Sequence, residues 1–95
     1  MTRHYLAGEL SQLLGELAAA AAGDRDADEV VWLRRQAETV GPGRLAPVAR
    51  RALGVADRLC WESLSRGDVR AFDLRAAVSA RLWAFGVAAG LLGEG

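Results

Sequence analysis

Cysteine and histidine each occur once in this chain, as Cys60 and His4, and that scarcity removes whole classes of chemistry. A single cysteine cannot close an intramolecular disulfide. Zinc, haem and related centres are held by several His, Cys or clustered carboxylates, so no metal and no cofactor is expected. A nucleophile activated by imidazole needs that base held firmly within hydrogen-bond reach, and His4 sits near the start of the chain, where a side chain is poorly fixed. No catalytic residue is assigned, and the chain reads as non-enzymatic. Phosphate-cradling loops are missing too, because Gly86, Gly90 and Gly93 fall within or at the end of an apolar segment, not between a strand and a helix.

Lysine, isoleucine and asparagine are absent, while alanine (19) and leucine (14) dominate. The three missing residues have AT-rich codons, so the pattern reads as the imprint of a high-GC bacterial genome, and arginine in place of lysine carries no message about phosphate. Twelve arginines balance twelve carboxylates, which removes the overall charge that nucleic-acid and acidic-membrane binders use. The apolar fraction of 52 % is enough for one folded domain over residues 1–95.

Long hydrophobic runs are also missing. Glu9 and Glu16 break the first apolar stretch, which a signal peptide would not tolerate. Arg81 interrupts the segment from Ala76 to Gly93, leaving less than the roughly 20 residues a bilayer crossing needs. A cytoplasmic protein with no membrane attachment is expected.

What is present is helical periodicity. Leu6, Leu10, Leu13, Leu14 and Leu17 form one stripe when residues advance by about 100°, which predicts a first helix over 3–22, with Gly23 as its stop. Asp26, with Glu29 three residues on, resembles a capping box and opens a second helix over 27–40. Gly41-Pro42-Gly43 ends it, and a third runs over 45–66, with Pro47 tolerated in its first turn. Gly67 and Asp68 supply a stop and a fresh N-cap for a fourth over 69–92. No segment alternates with period two, so strands are not expected. Short connections between four helices predict an all-α, up-down four-helix bundle.

The surplus of apolar surface points toward function. On the third helix, Leu45, Val48, Ala49, Ala52, Leu53, Val55, Ala56, Leu59, Cys60 and Leu64 occupy one half, and Trp61 falls among Arg50, Asp57 and Arg58 on the other. Either the ring packs locally, over Arg58 as a cation–π pair, or it anchors a partner. The fourth helix has two opposed stripes. Leu74, Val78, Leu82, Phe85 and Leu92 form one, and Val69, Phe72, Ala76, Ala80, Trp83, Val87 and Leu91 form the other, with Arg70 and Arg81 on one wet flank and Arg75 and Ser79 on the opposite one. Either this helix is the central element of the bundle, or one stripe faces the bundle and the second meets another chain, the reading favoured because no helix of so small an array is wholly central. The leading expectation is a homodimeric interaction module, a small adaptor or regulatory accessory, contacting partners through Arg58, Trp61, Phe72, Trp83, Val87 and Leu91, with Trp32 of the second helix in addition.

Two rival readings are weighed. Six arginines against Glu38 and Asp57 between residues 34 and 58 allow a helix-turn-helix-like nucleic-acid binder using Arg50, Arg51 and Arg58, although that helix offers almost no Asn, Gln, Ser or Thr to base edges. A pocket between helices lined by the aromatics would suit a small-molecule sensor. Asp24, Asp26, Asp28 and Glu29 lack the EF-hand pattern and are assigned to capping the second helix.

Two short motifs resemble known families and depart from them at the functional position. His4-Tyr5-Leu6-Ala7-Gly8 resembles the phosphorelay histidine-phosphotransfer motif, but Ala7 stands where that family usually has lysine. Glu62-Ser63-Leu64 resembles the Asp-Ser-Leu of acyl carrier proteins, whose serine takes a phosphopantetheine arm at a helix start, whereas here the triplet lies late in the third helix.

Overall fold

A computed structural model describes residues 2–92. Four helices follow in order, α1 (Thr2–Ala20), α2 (Ala27–Thr39), α3 (Leu45–Ser65) and α4 (Val69–Ala88), with a single 3₁₀ turn over Pro42–Arg44. Among the described residues there is no strand. The boundaries lie within a few residues of those the periodicity predicts, and the predicted bundle is the observed one.

Contacts between helices run in opposing order, which makes each neighbouring pair antiparallel. Ser11 of α1 reaches Glu38 of α2, and Gly15 lies beneath Arg34. Glu29 and Asp26 of the α2 start meet Arg51 and Arg58 of α3. Arg75 near the start of α4 touches both Ala20 at the end of α1 and Ser63 late in α3. The helices form a ring, with α1 packing on α2 and α4, α3 packing on α2 and α4, and α1 meeting α3 across the centre.

The core is aliphatic. Leu10, Leu14 and Leu17 of α1, Val30 and Leu33 of α2, and Leu45, Val55 and Leu59 of α3 are fully buried. Alanines 37, 49, 52 and 56 fill the positions between them and let the helices approach closely. This is the stripe arrangement expected for α1 and α3, except that Leu53 and Cys60 are half-buried and Leu64 is exposed.

The structure corrects α4 in two places. Leu74, expected to face the bundle, is 57 % exposed, and Arg75, expected on a wet flank, is 2 % exposed. The core line of α4 is Arg75, Val78, Leu82 and Gly86, rotated from the predicted stripe because the gap between the α1 and α3 ends offers Arg75 carbonyl and hydroxyl acceptors that no leucine would use.

The second correction is the helix end. α4 stops at Ala88 and not at Leu92, since Gly90 takes a left-handed φ of 72°. Gly90 N–H donates to Val87 O at 3.1 Å and Leu91 N–H to Gly86 O at 2.9 Å, the paired bonds of a Schellman motif. The chain reverses and tucks Leu91 into the core at 9 % exposure, with Leu92 lying over Gly86. Gly67 closes α3 with the same pair of bonds. We expect Gly90→Ala to lose about 1 kcal/mol, because a Cβ disfavours left-handed backbone, and urea unfolding of the two proteins measures it.

Asp68 caps α4 as predicted, its Oδ1 accepting from Ala71 N–H at 3.0 Å. The capping box at α2 does not form, as Asp26 makes no side-chain cap. Its carboxylate and that of Glu29 turn instead toward α3, where arginine offers a charged donor in place of a backbone amide.

Candidate interaction surface

The sequence reading placed one aromatic on α2, one on α3 and two on α4, and the bundle divides them between two faces. Position 61 lies on the solvent side of α3, next to the edge that packs on α4. Positions 72 and 83 of α4 lean toward that same edge. Trp61, Phe72 and Trp83 therefore line one open groove of about 760 Å³ between α3 and α4, together with Leu53, Leu64 and Asp57. Its floor is built from small residues, Gly54, Ala76, Ser79 and Ala80. Trp61 is 65 % and Trp83 59 % exposed, and Val87, one turn beyond Trp83, is also exposed. Large rings thus stand over a shallow, small-residue floor.

Trp32 is exposed but belongs elsewhere. It shares a depression of about 370 Å³ with Gln36, Val40, Arg44, Pro47 and Arg51, between α2 and the start of α3. Since α3 turns one flank to α2 and the other to α4, Trp32 cannot share a contact surface with Trp83. Leu91 does not belong to the surface either, because the Schellman turn buries it in the core. Arg58 lies on the α2 flank of α3, between 3.0 and 3.6 Å from Glu29 and Asp26. It borders Trp61 in a smaller depression with Arg25 and Glu62 and takes no part in the groove.

Three of the six arginines in the arginine-rich stretch, Arg34, Arg51 and Arg58, are paired within the chain among the described residues. Arg51 donates to Glu29 at 2.6 Å and Arg58 donates to the other oxygen of the same carboxylate at 3.0 Å. Arg34 donates to Ser11 and lies 3.7 Å from Glu38. Of Arg50, Arg51 and Arg58, Arg50 alone makes no ion pair among the described residues. The pairing of α2 and α3 runs from Asp26–Arg58 at one end to the Pro42–Arg44 turn at the other, so the two helices run in opposite directions.

Asp24, Asp26 and Glu29 each hold an arginine of α3 or α4. Ion pairing therefore accounts for three of the four carboxylates better than the helix capping assigned to them, and Asp28 makes no ion pair among the described residues.

Cys60 lines the groove half-buried. Burial, and secondarily the Asp57 carboxylate, push its thiol up from the ordinary value, so the reactive thiolate is disfavoured near neutral pH. Ser63, the serine of the acyl-carrier-like triplet, is fully buried, donates to Leu59 O and accepts from Arg75, leaving nothing for a prosthetic arm to reach. The side chain of His4 lies outside those described.

No family model, curated protein or solved structure matches the chain. Among the described residues no helix is long and apolar enough to cross a membrane.

The one feature that sequence reasoning missed is the Arg75 cluster. Nε donates to Ala20 O at 2.9 Å, and Nη1 donates to Leu59 O at 2.9 Å and Ser63 Oγ at 2.7 Å. Asp24 Oδ2 stands 3.6 Å away. A cation placed on a free carbonyl of the last turn of α1 is favoured by the helix dipole. Arg75 thus ties the ends of α1 and α3 and the loop after α1 to α4.

Proposed function

We propose that this protein is a non-enzymatic, cytoplasmic helical interaction module that works as a homodimer, a small adaptor or regulatory accessory whose contact surface is the α3/α4 groove. The observation that carries the reading is the exposure of Trp61 and Trp83 on one face. Aromatic side chains present 150–250 Å² each, so the two rings at these exposures offer roughly 300 Å² per copy. That is more than a third of the ~800 Å² each partner contributes to a standard interface. Leu64, Val69 and Val87 extend the same apolar surface, which exceeds what isolated surface hydrophobics explain. A second copy is the occupant we favour because the chain has no net charge and its groove is apolar apart from Asp57, so two copies of it are complementary wherever that carboxylate meets a cation.

The nucleic-acid reading loses support from the Glu29 pairing of Arg51 and Arg58. The groove is open and shallow, which suits a protein surface better than the enclosed site of a small-molecule sensor. Light scattering with and without a short DNA duplex, at two salt concentrations, tests the assignment. The expected result is the mass of two chains in each condition, with duplex binding absent or weak, indifferent to sequence and lost at the higher salt. Tight, sequence-selective duplex binding would overturn the reading in favour of Arg50, Arg51 and Arg58 as phosphate contacts.

A further inference from the structure

Asp57 lines the groove and Arg50 stands one heptad before it on the same face of α3, and their spacing specifies how a second copy would sit. Arg50 and Asp57 lie on the groove side of α3, two helical turns and about 10.5 Å apart along the axis, and among the described residues neither makes an ion pair within the chain. Gly54 lies between them, and a Cβ built there meets nothing within 4 Å, so another backbone can approach closely.

We infer that two copies pack across a two-fold axis perpendicular to α3 at Leu53–Gly54, placing Arg50 of each against Asp57 of the other. This rests on the self-association reading above and fixes its geometry. Two apolar faces of this kind can be related by an axis across the helices or along them. An axis along the helices sets α3 against α4 of the partner and buries the Asp57 carboxylate on the alanine floor of the groove, a charge without a partner and so strongly disfavoured. An axis across the helices runs α3 antiparallel to its own copy and satisfies both charges twice.

The register of α4 agrees independently. Arg75 is level with Leu59 and Ser63. Because α3 and α4 are antiparallel, advancing along α4 from Arg75 to Trp83 matches retreating along α3 from Leu59–Ser63 to Arg51–Val55. Trp83 is therefore level with the midpoint of Arg50 and Asp57, and the same axis brings the two copies of Trp83 together, where offset aromatic packing is favourable.

Charge exchange tests this. Arg50→Asp alone sets carboxylate against carboxylate twice, and Asp57→Arg alone sets guanidinium against guanidinium twice. Each is expected to weaken dimerisation at least about tenfold, read by sedimentation equilibrium, with an unchanged far-ultraviolet spectrum because both sites are exposed. An equimolar mixture of the two variants restores two attractive pairs, and so does the double variant, so dimers return in both cases. A dimeric wild type whose single variants dimerise as tightly, or whose mixture stays monomeric, overturns this axis and leaves the dimer standing. A monomeric wild type overturns both.

Discussion

Replacing Arg75 with methionine is expected to destabilise the fold by about 3 kcal/mol, at the lower end of what removing one member of a buried ion pair costs. The thioether fills much of the arginine stem's volume, so the loss reports chiefly on polar groups. Ala20 O loses the charged donor at the end of α1, and Ser63 Oγ and Leu59 O each lose a donor as well. Asp24, 4 % exposed at its side chain, loses one of its two arginines and keeps Arg66 at 3.6 Å and the Asp26 N–H at 3.0 Å. Against the 5–15 kcal/mol that separates a domain of this kind from its unfolded state, the change lowers the melting temperature by more than about 10 °C. Urea unfolding measures it. The double variant Arg75→Met with Asp24→Ala is expected to lose at least as much, since Asp24→Ala also removes the Arg66 pair and the acceptor for the Asp26 N–H. A loss below about 1 kcal/mol for Arg75→Met would show that the cluster ties nothing together.

The second large effect concerns assembly. Trp83→Glu is expected to dissociate the dimer, because it removes the ring at the centre of the proposed contact from both chains and puts two carboxylates in its place. Burying an aromatic side chain is worth roughly 1.5–3 kcal/mol from area alone, and the two-fold counts that loss twice. The dimer weakens by a factor of about 100 or more. Trp32→Glu, on the α2 face, is expected to leave assembly unchanged. If Trp32→Glu dissociates the dimer and Trp83→Glu does not, the contact lies on α2 and the groove is free.

The helices were legible because leucine spacing and glycine–proline punctuation are local signals. Leu10, Leu14 and Leu17 need only a period of 3.6 to be placed inside, and Asp68 needs only the sequence beside it to be read as a cap. Arg75 was not legible, since a charged residue is assigned to solvent until its acceptors are known, and Ala20 O and Ser63 Oγ come from other helices. The same blindness inflated the basic stretch. Counting from residue 34 to 58 omits Asp26 and Glu29, which the α2–α3 hairpin folds back onto Arg58 and Arg51. Leu91 was assigned to a free stripe by continuing the helical period past Gly90, where the left-handed turn ends that period.

The candidate surface was legible in part. Periodicity sets Trp61, Trp83 and Val87 apart from the apolar lines that fill the core, and all three are exposed, while Phe72 is half-buried. That Trp32 belongs to a separate face depends on which flank of α3 meets α2 and which meets α4, information held only in the packing. The self-complementary spacing of Arg50 and Asp57 gains meaning only once both are seen beside the groove.

Sedimentation equilibrium of the wild-type protein at micromolar concentration tests the central claim most directly. The account predicts a species of twice the 10.1 kDa chain mass, shifting to the single-chain mass in Trp83→Glu. A wild type that sediments as one chain throughout would contradict it, and the aromatic groove would then belong to a different partner.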